Sequence, residues 1–155
     1  GRDLIDEQAR ELLSHQASDR QTGALGDVEI KLTAEGNIVT CYEMKNKSVR
    51  ITDIEKSIGK ISTYGHHIDN YIFITTEPIE KEVADYACSL YREMGTEVVV
   101  LDCIGFLRHF LHFFHRRRMQ FIDNYQNLVL KEPSSSVSQA LKDAFLALRV
   151  AAQDQ

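Results

Sequence analysis

Several features that would set this chain apart from ordinary globular proteins are missing. Cysteine is sparse: Cys41, Cys88 and Cys103 are scattered, odd in number and form no CxxC pair. That excludes a zinc ribbon or a disulfide framework and leads us to expect reduced thiols in a cytoplasmic protein. No apolar run approaches the roughly 18 residues of a membrane span, and no signal-peptide pattern is present, so neither a span nor export is expected. Positive charge is not in surplus. Lys and Arg total 18 against 23 Asp and Glu, a net charge of −5. The chain as a whole is therefore not a non-specific polyanion binder, and any nucleic-acid contact must come from local basic patches. There are no internal repeats, and no low-complexity tract beyond Ser134-Ser135-Ser136.

The composition that remains, 43% hydrophobic and 26% charged over 155 residues, is that of one domain with a proper core and excludes disorder. The chain opens on Gly1 without an initiator methionine, so the expectation is a trimmed chain or a domain cut from a longer one.

Hydrophobic spacing predicts the elements. Leu4, Ile5, Ala9, Leu12 and Leu13 form a helical stripe over 2–16, followed by a polar loop over 17–26. Val28, Ile30 and Leu32 alternate with polar residues, as do Ile38, Tyr42 and Met44 beyond Glu35-Gly36-Asn37, which predicts a β-hairpin with an apolar face able to seal a core. Thr52 as N-cap with Glu55 three residues on predicts a helix carrying Ile54, Ile58 and Ile61 and stopping near Gly65. Residues 71–76 read as a doubly covered strand, 79–94 as a helix and 98–101 as another buried strand. A long helix over 103–125 and a last one over 136–152, capped by the serines, complete the order. Strand–helix–strand alternation favours parallel crossovers. The expected fold is α/β: a mixed sheet flanked by helices in α-β-β-α-β-α-β order, with further helices at the C-terminus.

The hairpin carries the chemistry. If it folds about Glu35, position n faces 70 − n, and Asp27 lies opposite Glu43. Directly opposed Cβ atoms in an antiparallel pair are about 4.5–5.5 Å apart, and two like charges that close need a positive partner. A divalent cation would serve, and Lys45 shares the face of Glu43. Phosphodiester hydrolysis needs a nucleophilic water and an offset for developing negative charge, which a hard cation on oxygen ligands supplies. Asp27, Glu43 and the carbonyl of Met44 are candidate ligands. Lys45 could orient or help deprotonate the water, or stabilise phosphate charge. The chain holds a second Glu-x-Lys at Glu29-Ile30-Lys31, and the competing reading of Asp27, Glu43 and Lys45 is a surface ion pair on an ordinary hairpin.

Asp27 followed by Glu43-Met44-Lys45 in this element order resembles the PD-(D/E)XK nuclease superfamily, the restriction-endonuclease-like fold. Gly26-Asp27-Val28 with Glu43-x-Lys45-x-Lys47-Ser48-Val49 resembles more closely the nuclease domain of SacI-type restriction endonucleases, over roughly residues 8–76. The resemblance implies one nuclease-like catalytic domain over 1–155 that cuts double-stranded DNA with Mg²⁺ or Mn²⁺. Asp27 and Glu43 would be ligands and Lys45 would stand at the water. It also implies a further acid from the first helix, for which Glu11 is the first candidate and Glu7 the second. Gly26 stands where the superfamily's name has proline. Lys60 and Tyr64 occupy the spacing of a glutamine–tyrosine pair used by other branches, which argues against the exonuclease-like ones.

Between Glu43 and Lys60, five basic residues (Lys45, Lys47, Arg50, Lys56, Lys60) stand against three acids. Lys47, Arg50, Lys56 and Lys60 are candidates for DNA phosphates. A second patch, Arg108 with Arg116-Arg117-Arg118 beside His109, His112 and His115, reads either as a phosphate-binding or dimer-facing helix or as a solvated helix face whose cations suit the negative end of the dipole. Symmetric cutting of both strands would suit a homodimer. A junction resolvase, a repair nuclease or a non-catalytic α/β module that binds DNA or protein are the alternatives to a restriction enzyme.

Overall fold

A computed structural model describes residues 6–10 and 23–153. The chain divides into two compact units, one ending at Arg108 and the other beginning at His109.

The first unit is built on a five-stranded mixed sheet: β1 (Glu7–Ala9), β2 (Val28–Leu32), β3 (Ile38–Lys45), β4 (Asn70–Thr75) and β5 (Glu97–Asp102). The strands lie in chain order. β1, β2 and β3 pair antiparallel, while β3, β4 and β5 pair parallel. The two parallel steps are made by helices α1 (Ile51–Tyr64) and α2 (Lys81–Met94), as parallel pairing requires a crossover. Both helices end at glycines in the left-handed region, Gly65 (φ +82°) and Gly95 (φ +74°), where a side chain would strain the backbone.

The hairpin register follows the 70 − n rule at Val28↔Tyr42, Glu29↔Cys41 and Ile30↔Thr40, then shifts by one at Lys31↔Ile38. The extra residue, Val39, is a bulge. Its consequence is that Ile38 joins the core although Cys41, three residues on, does so too. The core lies on the face of Cys41, Tyr71, Phe73 and Val98, covered by Ile54 and Ile61 of α1 and by Val83, Ala87 and Leu90 of α2. The hairpin face expected to seal the core is buried only in part: Ile30 and Ile38 are buried, but Met44 is 48% exposed, and Val28 and Tyr42 are half-buried. Glu43, by contrast, is buried on the core side.

Two expected elements of the first unit differ in the described residues. Glu7–Ala9 is a strand, not part of a helix over 2–16, and the rest of that predicted helix lies outside the described residues. Pairing of Glu7, Gln8 and Ala9 with Leu32, Lys31 and Ile30 satisfies the outer edge of β2, and this tertiary demand overrides the local helical spacing. The helix-starting cap also sits elsewhere. Arg50 is the N-cap of α1, and Asp53, not Glu55, turns back to accept its backbone N–H at 3.1 Å.

The second unit is helical. It takes in the end of α3 (Cys103–Phe113), a 3-10 turn (His115–Arg117), α4 (Arg118–Lys131) and α5 (Gln139–Gln153). The single helix expected over 103–125 is broken at Phe114, whose φ of −100° and ψ of 40° are not helical. The cause is aromatic packing. Phe110 and Phe121 have ring centroids 6.2 Å apart, whereas a straight helix would carry their backbones about 16 Å apart at 1.5 Å per residue. The chain must turn to let them meet. Ser138 rather than Ser134–Ser136 precedes the last helix, its Oγ 3.4 Å from the N–H of Leu141. α4 and α5 are tied through Arg149, which hydrogen-bonds Gln126 and Asp123, and through Lys142, which donates to the carbonyls of Leu130 and Glu132. No helix among the described residues is long and apolar enough to cross a membrane.

Two measurements check this core. Phe73→Ala should cost about 3–5 kcal/mol, read as a lowered urea midpoint, because the ring is wholly buried against Tyr71. Burial, then the charges of Glu29 and Glu43, push the Cys41 thiol up to about 12 against the pull of Lys60. Iodoacetamide at mildly alkaline pH should then modify the exposed Cys88 and spare Cys41 until denaturant is added, as read by peptide mass spectrometry. Equal labelling of both would show that the core side of β3 is open to solvent.

Candidate functional site

The site forms where β2 begins and β3 ends. Gly26 lies so close to β3 that a Cβ there would stand 2.7 Å from the carbonyl oxygen of Tyr42 and 3.4 Å from Cys41 Cβ. Only glycine allows this approach, and it carries the next residue, Asp27, against the strand. Asp27 Oδ2 accepts the backbone N–H of Met44 at 2.6 Å. The side chain thus takes up a strand donor just outside the β2 ladder, which starts at Val28. The carbonyl of Lys45 accepts from the N–H of Thr76, on the β4 side. One residue earlier, the Met44 N–H and carbonyl are turned the other way, to the side where Asp27 lies.

Glu43 and Lys45 share the core-side face of β3. Lys45 Nζ donates to Glu43 Oε1 at 2.5 Å. Glu43 Oε2 is 3.3 Å from the Tyr71 hydroxyl, which is also 2.6 Å from the carbonyl oxygen of Leu25. Burial and the Glu43 charge raise Tyr71 above the ordinary tyrosine value, although its contact with Ser57 pulls the other way. The neutral phenol has one proton, which the nearer Leu25 carbonyl takes, so the hydroxyl anchors the loop before Asp27 and stands beside Glu43 at the longer distance. For Lys45, burial acts to lower the pKa, but the hydrogen bond and charge of Glu43, with the charges of Asp53 and Asp27, outweigh it and hold it above the usual lysine value. Three carboxylates therefore act on one ammonium, and Lys45 is charged at neutral pH.

Asp27, Glu43, Met44 and Lys45 are thus brought together. Glu11 lies outside the described residues, and Glu7 is in β1, paired with Leu32. The basic candidates differ among themselves. Lys47 reaches Asp53 at 3.7 Å with its side chain 65% exposed, and Arg50 and Lys56 are exposed at the start of α1. Lys60 is half-buried on the inner side of α1, where its charge acts on Cys41.

Three further residues support the site. Tyr71, whose local sequence signals only a buried strand, reaches Glu43. Asp53, three residues after Arg50, closes the cap of α1 where Glu55 is expected. Glu29 is buried, accepts the N–H of Leu25 at 2.7 Å and pairs with Arg10. The earlier Glu-x-Lys is therefore a structural brace: its acid holds the loop that precedes Asp27 and the chain just after β1.

The donor types, carboxylates and a main-chain carbonyl, are those a hard divalent cation takes. Among the described residues no three His, Cys, Asp or Glu side chains group closely enough to hold an ion by themselves. An ion here would rest on two carboxylates, a main-chain carbonyl and water, the oxygen-only, partly hydrated set that Mg²⁺ takes. No protein-family model matches the chain, and no curated protein is significantly similar to it.

Gly26→Ala should destabilise the protein by about 1–3 kcal/mol, because backbone rather than a movable side chain meets the added methyl. Urea denaturation reads the loss. An unchanged midpoint would mean that the loop before Asp27 does not press on β3.

Proposed function

We propose that this protein is a metal-dependent DNA endonuclease of restriction type that hydrolyses phosphodiester bonds in double-stranded DNA. The observation that carries the reading is the meeting, just before β2 and at the end of β3, of the Asp27 and Glu43 carboxylates with the Lys45 ammonium. Mg²⁺, or Mn²⁺ in its place, would supply charge neutralisation and a water of lowered pKa. Asp27, Glu43 and the Met44 carbonyl would hold it. Lys45 would donate to the scissile phosphate or orient the attacking water, a role suited to a charged amine and not to a general base. Tyr71 would anchor the loop before Asp27 beside Glu43, and Lys47, Arg50 and Lys56 would meet the DNA backbone near the site.

The competing reading is a closed ion-pair cluster in a non-catalytic α/β module. One observation favours it: Lys45 already neutralises Glu43 at 2.5 Å. Plasmid nicking with and without Mg²⁺ decides between them. Asp27→Asn and Lys45→Ala should each lower the metal-dependent rate on the order of 100-fold or more. Mg²⁺-dependent nicking by both variants at the wild-type rate would sink the nuclease assignment to these residues. Discrete fragments from linear duplex indicate a restriction enzyme, whereas cutting confined to branched DNA indicates a resolvase.

A further inference from the structure

The second unit carries a concentration of positive charge that the catalytic reading does not use. No Asp or Glu occurs between Asp102 and Asp123, a stretch holding His109, His112, His115 and Arg116-Arg117-Arg118, in a chain of net charge −5. The break at Phe114 places these arginines at a corner and not along a helix. Phe110 packs against Phe114 (4.8 Å) and Phe121 (6.2 Å) within the corner, and residues 112–120 are exposed.

The corner also removes the plainest explanation for the charges. Cations suit the C-terminal end of a helix, and His112 stands there in α3. The arginines stand instead at the start of α4, where the dipole repels them and no acid occupies the first turn. Arg118 has a structural task, its Nε donating to the carbonyl of Leu111 at 2.7 Å and pinning the turn. Arg116 and Arg117 have none of comparable strength. Arg117 meets only the neutral Gln120 at 3.4 Å, and among the described residues neither forms an ion pair. Two exposed guanidinium groups are thus kept together at some cost to the fold, an arrangement that an external anion would relieve.

We infer that the α3–α4 corner, through Arg116 and Arg117, grips the phosphate backbone of duplex DNA and is a second DNA-contacting surface of this protein. The inference rests on the reading of DNA as substrate. The contact is sequence-independent and adds affinity, not base readout. An anionic membrane surface is the rival partner that a parallel vesicle-binding measurement tests, because Phe113 and Met119 are exposed at the corner even though Phe110, Phe114 and Phe121 pack on one another.

The test uses the full chain in EDTA, where cleavage cannot interfere, and a short labelled duplex followed by fluorescence anisotropy over a range of salt. Arg116→Ala/Arg117→Ala should weaken binding about tenfold or more at low salt and reduce the slope of log K against log salt by about 2, near 0.9 per lost phosphate contact. Arg116→Lys/Arg117→Lys should restore most of the slope, since a point charge still meets a phosphate. Circular dichroism melting shows that the variants fold. An unchanged slope in the alanine variant overturns the inference, as does a wild-type chain with no salt-dependent DNA binding, or a loss confined to anionic vesicles. The two readings fail separately. An unchanged slope with Asp27-dependent nicking removes the corner and leaves the nuclease; a reduced slope without nicking does the reverse.

Discussion

The hydrogen bond from the Met44 N–H to the Asp27 carboxylate is the constraint on which the rest of this site depends. A strand donor beyond the end of the β2 ladder needs a partner, and Asp27 supplies it. That bond is possible because Gly26 lies flat against Tyr42, closer than any side chain would permit. The acid is thereby fixed to the strand that bears Glu43 and Lys45, without a residue on a flexible loop having to find them. Site and sheet share one set of contacts, so the geometry of the first is as stable as the pairing of the second.

Burial gives the cluster its electrostatic character. Glu43 lies on the core side of β3, held by Lys45 beside the Tyr71 hydroxyl, while Asp27 is exposed at the rim. One carboxylate is thus oriented by the interior and the other faces water. Glu29, a little deeper on the same face, is held by Arg10 and the Leu25 N–H. Cys41 between them is driven far from thiolate chemistry by burial and by those two acids. The interior of the hairpin is therefore acidic with each buried charge answered, Glu29 by Arg10 and Glu43 by Lys45.

Much of this was legible in the sequence because its signals are local. Alternation in the hairpin, continuous apolar strands at 71–76 and 98–101, and Gly65 and Gly95 as helix ends each follow from period or backbone freedom within a few residues. The pairing of Val28 with Tyr42 follows from a turn at Glu35. What escaped was set by contacts distant in sequence. The Val39 bulge puts Ile38 on the core side with Cys41, against the simple alternation of the strand. Glu7–Ala9 becomes a strand because β2 needs an edge partner. Phe114 breaks a helix because Phe110 and Phe121 pack together. Tyr71 becomes part of the site only when β4 pairs in parallel with β3 and sets it beside Cys41, within reach of Glu43. The two Glu-x-Lys sequences differ not in pattern but in surroundings, one braced by an arginine and the other by a lysine at the strand end.

The strand order carries a kinetic consequence. Each described strand pairs with its nearest neighbours along the chain, so no strand must wait for a distant segment before it can join the sheet. Such a sheet can grow by successive addition, each loop closing over a modest span, which favours rapid assembly despite its parallel half. The residues that make the acidic site are all in place once β4 has docked, and the sheet can receive β5 afterwards as an outer layer. On a ribosome, the hairpin and its parallel partner β4 could pair before the last strand emerges, with Val98 of β5 completing the core afterwards.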